Sequence, residues 1–357
     1  MTASSAQAGW WGPPLDDDQR ELRTMLDGFI ASRGDVLDDD GDVQGLMTEL
    51  GELGVWTLGT AESLGGGGAD HTTTVIALER MARAWPALAW ASVQAHAAVT
   101  ALGASDEFTE LVTQIHGGAA AVAVVDADAT HVRLVHDGGW SGSVARVDVA
   151  APDPHLLVLV GTDRALFFPS SVMTSKSLRR TGFGGAMTRS LQIDATAGDV
   201  TELSGIDCAA SRVTLRLGAA AVAAGIAGAA TTAAHSYASD RRQFGAALTA
   251  IPTVRQSLLN QRAAAGTILN AALTASGDPV AAFSAMRTSC DTAIDVAASA
   301  LQSHGGYGYL TEYPVERQFR DAVSLRAAVD AWGAAVVTAA QICGQPDGEA
   351  TFRREAS

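Results

Sequence analysis

The sequence predicts an α+β protein in three consecutive parts: a helical N-terminal domain (residues 1–117), a small middle β domain (118–205) and a C-terminal four-helix bundle (206–346), with a polar tail (347–357) after it. Three observations carry this reading. Up to about residue 115 apolar residues recur at three- and four-residue spacing, the middle of the chain switches to short β-branched runs divided by Gly, Asp and Pro, and long helical spacing returns after Cys208. With 357 residues, 47% hydrophobic and 18% charged, the chain can bury large cores.

The elements follow in order. Gln19–Phe29 and Val43–Leu53 read as amphipathic helices, and Thr73–Trp85 and Ala87–Ala101 as two more beyond the segment TAESLGGGGAD. The four glycines Gly65–Gly68 have no lysine after them and no clear strand before them, so they read as a flexible turn and not as a phosphate loop. AAAVAVVDA, GWSGSVARVDVAA, HLLVLVGTDRALFFP and TRSLQIDA are the strand-like runs of the β domain. Ser211–Arg242, Thr253–Ala275, Pro279–His304 and Pro314–Cys343, the last broken near Asp321, form the bundle, with Gly245 and Gly305–Gly306 where helices should stop. The run Leu217–Ala234 is almost long enough to span a bilayer, but Ala, Gly and Thr dominate it, which suits a helix packed closely among other helices.

Charge and cysteine usage exclude several functions. Lys and Arg total 24 against 39 Asp and Glu, and the net charge of −15 repels nucleic acid and anionic membranes while leaving room for a local basic site on a small anion. Cys208, Cys290 and Cys343 form no CxxC or metal-ligand spacing and read as buried small hydrophobes. The first residues have neither a basic nor an apolar leader region, so a reducing cytoplasm is the expected compartment.

Two motifs carry chemistry. In HSYASDRRQFGAALTAIPTVRQSL, the Arg241 guanidinium offers a planar fork for pyrophosphate oxygens, Phe244 offers an apolar face, and Gly245 ends the helix; an arginine pair at a helix C-terminus is also favoured by the helix dipole alone. In LQSHGGYGYLTEYPVERQFRDA, Gly305 and Gly306 let a cofactor lie against bare backbone, Gln302 can hydrogen-bond its polar edge, and Pro314 can start the next helix. Arg320 and Asp321 read as a structural ion pair.

Tyr237, Ala238, Arg241, Phe244 and Gly245, then Gln302, Gly305, Gly306 and Gly308, then Glu312, Tyr313, Pro314, Arg317, Arg320 and Asp321, resemble the motifs of the acyl-CoA dehydrogenase family, and TAESLGGGGAD is similar to its glycine-rich loop without the proline. The resemblance extends over most of the chain. It implies that family's fold and FAD-dependent α,β-dehydrogenation of an acyl-CoA thioester, in which a carboxylate takes the α proton and flavin the β hydride, with electron-transfer flavoprotein as the partner that reoxidises it. The family's two glutamate positions fall here on Val329 and Leu215, both apolar. Asp330 is the one displaced acid beside them, and its shorter side chain would be turned by about 100° on a helix. The family's flavin-ring segments have no equivalent in VVDADATHVRLVHDGGWSG.

What the resemblance retains are the groups that reach across a dimer to the neighbour's flavin: Arg241, Gln243, Phe244, Gln302, Gly305 and Gly306. The chain thus resembles the short, base-less subunits of actinobacterial heterotetrameric acyl-CoA dehydrogenases that act on steroid-CoA thioesters, which implies a homologous base-bearing partner and a shared FAD. Two other readings stay open: a self-sufficient homo-oligomer using Asp330, and a flavin-free scaffold subunit.

Overall fold

The computed structural model describes residues 9–343, and the polar tail lies outside them. The N-terminal part is helical: α1 Asp17–Arg33, α2 Val43–Glu52, α3 His71–Ala82, α4 Pro86–Leu102 and α5 Thr109–His116. Three of these helices start on aspartates whose carboxylates accept backbone N–H groups, Asp16 from Gln19, Asp42 from Gly45 and Asp70 from Thr73. Asp16 and Gln19 complete a reciprocal capping box. α4 has no polar face because it is buried on nearly every side. Beside it Glu79, 1% exposed, accepts from Arg23 Nη1 at 2.8 Å and Arg83 Nε at 2.6 Å. Burial opposes its charge, but the two guanidinia overcome that and hold its carboxyl below the ordinary range. The glycine run is a packed turn and not a loose one: a Cβ on Gly66 would lie 1.8 Å from Thr60 Oγ1.

The middle part holds two four-stranded sheets. β1 Val122–Asp126, β4 His155–Val160, β5 Arg164–Phe168 and β8 Thr201–Ser204 form one in the order β1-β4-β5-β8, with β1 and β4 parallel. β2 Val132–His136, β3 Gly139–Val147, β7 Arg189–Thr196 and β6 Met173–Ser177 form the other, antiparallel, in the order β2-β3-β7-β6. The register of β3 on β7 shifts between Val144 and Val147, a bulge that re-aims the end of β3. Val144, Leu156, Val158, Phe168, Leu191 and Ile193 pack between the sheets.

The C-terminal part comprises α6 Cys208–Asp240, α7 Pro252–Thr274, α8 Pro279–Ser303, α9 Pro314–Ala328 and α10 Ala331–Ile342. Proline opens α7, α8 and α9, where its missing N–H costs nothing. Among the described residues α6 is one of two stretches apolar and long enough to cross a membrane, but it is mostly buried inside the protein. Its small residues serve close packing: a Cβ on Gly225 would sit 2.5 Å from the Glu79 carbonyl oxygen, and one on Gly218 would sit 2.5 Å from Val93. Two expectations are corrected. The last helix breaks at Asp330, which takes a left-handed φ of +41°, and not at Asp321, which lies inside α9. Cys208 and Cys290 are buried as expected, whereas Cys343 is exposed.

Candidate functional site

At one end of the bundle the two sequence motifs meet. α6 runs to Asp240 and hands the chain to a two-residue-strand hairpin, β9 Arg242–Gln243 and β10 Ala246–Ala247, whose turn is Phe244–Gly245. Both turn residues have positive φ, +53° and +81°. This is the geometry a tight hairpin demands, and it suits Gly245 but not Phe244. The Phe244 ring is 96% exposed, so no packing inside the chain compensates for that backbone.

Facing the hairpin, α8 ends at His304 and the chain turns through Gly305, at φ +59°, into the short helical turn Gly305–Tyr309. A stack of rings welds the two motifs. Tyr237 lies on buried His304 with centroids 4.3 Å apart, Tyr313 meets both edge-on, and the Arg241 guanidinium sits 5.2 Å over the Tyr307 ring. Burial raises the Tyr237 hydroxyl pKa and lowers that of His304. All four tyrosines of the chain, Tyr237, Tyr307, Tyr309 and Tyr313, fall in this corner. That concentration in a chain with 6% aromatic residues marks the corner in the sequence itself.

The corner is open on its outer side. An added Cβ on Gly245, Gly305 or Gly306 would meet nothing within 4 Å, whereas one on Gly308 would lie 2.5 Å from the Leu301 carbonyl oxygen. Gly308 is therefore a packing glycine, and Gly305 and Gly306 expose bare backbone. Gln243 and Gln302 are exposed, and Arg241, only partly buried, has no carboxylate partner among the described residues. A guanidinium, two amides and an exposed phenyl beside side-chain-free backbone suit an anionic dinucleotide.

The expected glutamate positions are elsewhere, on a cavity between the β domain and α4, α6, α9 and α10. Leu215 and Val329 both line it, and neither carries an acid. The cavity holds about 70 Å³. Pockets that take drug-sized ligands run to about 300–1,000 Å³, so this space is narrow for a flavin ring with a thioester. Trp90, 3% exposed, and Met286 occupy its walls, and the Val147–Val149 stretch after the β3 bulge adds another.

Asp330 also lines the cavity, but its carboxylate is committed. Oδ2 accepts from the Thr130 N–H and Oδ1 from the Thr130 hydroxyl, each at 2.8 Å, with His131 Nδ1 at 3.7 Å. Burial pushes the carboxyl up, yet the His131 imidazole and the two bonds from Thr130 outweigh it and hold the pKa at about 2. A group so reluctant to take a proton is a poor base near neutrality. Its left-handed backbone and cross-domain bonds instead clamp the α9–α10 break to the β domain.

Neighbouring Arg216 is 3% exposed and hydrogen-bonds the carbonyls of Pro279 at 3.2 Å and Ala334 at 3.5 Å; burial lowers its pKa to about 10. Arg320 and Asp321 do not pair with each other. Arg320 binds Glu316 at 2.7 Å, while Asp321 Oδ1 accepts the Phe183 N–H at 2.6 Å and pins the 181–186 loop to α9. Burial raises the Asp321 pKa to about 6.

Comparison with known proteins agrees with this architecture. Residues 16–109 match the acyl-CoA dehydrogenase N-terminal domain and residues 204–329 the acyl-CoA dehydrogenase C-terminal domain, together more than half of the chain. The probable acyl-CoA dehydrogenase YngJ of Bacillus subtilis is 26% identical over 86% of this chain and 93% of its own length. A 3-(aryl)acrylate reductase of Clostridium sporogenes is 37% identical over 113 residues, and that match spans 30% of each protein. A solved variant of the Tcur3481-Tcur3483 steroid ACAD shares the fold with a TM-score of 0.74 at 21% identity, over 92% of this chain and 99% of that one. With both terminal domain models matched and the helix–sheet–helix order in place, the chain belongs to the acyl-CoA dehydrogenase family.

Proposed function

We propose that this chain is the non-catalytic subunit of an FAD-dependent acyl-CoA dehydrogenase and completes the flavin site of a homologous, base-bearing partner. The observation that carries the reading is a contrast within one molecule. The corner built from Arg241, Gln243, Phe244, Gln302, Gly305 and Gly306 is assembled and open outward, while the cavity beneath Val329 and Leu215 is apolar at both base positions and holds about 70 Å³. A residue kept in a costly backbone conformation with its ring in solvent has its reason outside the isolated chain.

In this reading Arg241 forks onto pyrophosphate oxygens, Phe244 covers an apolar edge, Gln243 and Gln302 hydrogen-bond the polar rim, and the Gly305–Gly306 backbone lets the ligand approach without steric conflict. Bound flavin supplies the hydride acceptor for α,β-dehydrogenation. The α proton is taken by an acid of the partner, since Val329 and Leu215 have none to offer. Likeness to a solved steroid enzyme suggests a bulky acyl-CoA as substrate, with electron-transfer flavoprotein as the oxidant.

The test is purification alone and after co-expression with a base-bearing homologue. Alone the chain is colourless and inactive; the pair retains one FAD and turns over acyl-CoA. A yellow, active homo-oligomer whose turnover disappears in Asp330→Asn would instead establish the self-sufficient reading.

A further inference from the structure

We propose that a second cavity, on the opposite side of α6 from the one beneath Val329, binds a small, uncharged hydrophobic molecule. It holds about 460 Å³ and lies where the N-terminal helices meet the bundle. Val213 and Leu217 of α6, Val75 and Leu78 of α3 and Val93 of α4 form its walls, and Ala275 in the α7–α8 connection closes it. Arg212, Leu215 and Arg216 project from the other side of the same helix into the first cavity. The two spaces therefore share a wall and no chemistry. It opens to solvent beside His71, Ser276 and Gly277 and is of the size ligands occupy.

The lining defines the ligand by what it withholds. Among the described residues no Lys, Arg, Asp or Glu faces the space. Of its five polar side chains, Ser276, at the mouth, accepts the Asp278 N–H at 3.3 Å, and the other four are already engaged: His96 Nδ1 pairs with the Ser92 carbonyl at 2.8 Å and its Nε2 accepts the Gly59 N–H at 3.0 Å. Thr74 and Thr214 donate to the carbonyls of Asp70 at 2.8 Å and Ala210 at 3.0 Å, and His71 Nε2 pairs with the Ala272 carbonyl at 2.8 Å. Burial lowers the His96 pKa to about 4, which leaves that imidazole neutral at pH 7. A charged head group would lose its hydration here and find no counter-charge, whereas a hydrocarbon or flat apolar ring gives up nothing. Because walls come from both helical parts, the occupant would also brace one against the other. None of this depends on how the flavin corner is read.

Titration of the full chain with the neutral fluorophore N-phenyl-1-naphthylamine tests the proposal. Saturable binding of one probe per chain is expected. Val213→Trp and Ala275→Trp, each placing an indole in the space, should weaken it at least tenfold, and Leu259→Ser, which removes an exposed apolar side chain on α7, should leave it unchanged. Unsaturable binding, or affinity that survives both filling variants, overturns the proposal. Photolabelling of the unaltered chain with a diazirine-bearing neutral hydrocarbon needs no variant to fold. Adducts on 213–218 and 275–277 support the site, and adducts confined to other segments sink it.

Discussion

Replacing Phe244 with Asn separates what this residue does to the isolated chain from what it does in the proposed complex. At φ +53° an ordinary L-residue carries a penalty of about 1–2 kcal/mol, which Asn largely avoids. The ring is 96% exposed and returns no burial energy in the chain alone. Phe244→Asn should therefore stabilise the free hairpin by about 1 kcal/mol. Covering the same ring in a complex is worth about 1.5–3 kcal/mol, so its loss should weaken flavin retention roughly 10- to 100-fold. Hydrogen exchange reads the first effect at the Leu248 amide, which bonds the Arg241 carbonyl at 2.8 Å across the base of the hairpin; exchange should slow about fivefold. Equilibrium dialysis of FAD from the complex reads the second. Faster exchange in the variant, or unaltered FAD retention, would refute the reasoning.

Three further outcomes follow from the same geometry. Arg241→Ala combined with Gln302→Ala should lower the FAD content of the complex at least tenfold while changing the stability of the free chain by only about 0.5–1 kcal/mol, the Arg241–Tyr307 contact being the main loss; urea midpoints and flavin absorbance check both. Asp330, depressed to about 2, contributes stability that is complete above the ordinary carboxylate pKa and is lost as pH falls through 2, so Asp330→Asn should remove that share of acid sensitivity between pH 4 and 2. Asp321 has the opposite sign. Its pKa, raised by burial to about 6, makes the protonated carboxyl's contribution complete below 3.8 and lost as pH rises through 6, so the difference in urea midpoint between Asp321→Asn and the parent should grow in the variant's favour from pH 4 to 7; a flat difference contradicts the account.

How much of this was legible in the sequence depended on what kind of constraint a residue carried. Gly305, Gly245 and Pro314 stand where a backbone conformation admits few residue types, so their spacing survives as a readable motif. Leu215 and Val329 could be singled out by alignment with positions whose chemistry is distinctive when present, but only the fold shows that they line one cavity. Trp90 and the Asp330 clamp could not. Trp90 reads as one more apolar helix residue, and Thr130 and Asp330 are 200 residues apart, with no local pattern linking them. The break at Asp330 was misplaced to Asp321 because an internal left-handed residue leaves no glycine or proline to mark it. The polar edge strand β6, MTSKS, went unread because a strand with little burial does not alternate.

The central claim, that this chain holds one half of a flavin site and lacks the catalytic half, is tested most directly by FAD stoichiometry and acyl-CoA turnover, measured on the chain alone and on its complex with a base-bearing homologue. The account predicts no flavin and no turnover alone, and one FAD per heterodimer with turnover in the complex. Stoichiometric FAD and acyl-CoA dehydrogenation by the isolated chain would contradict it.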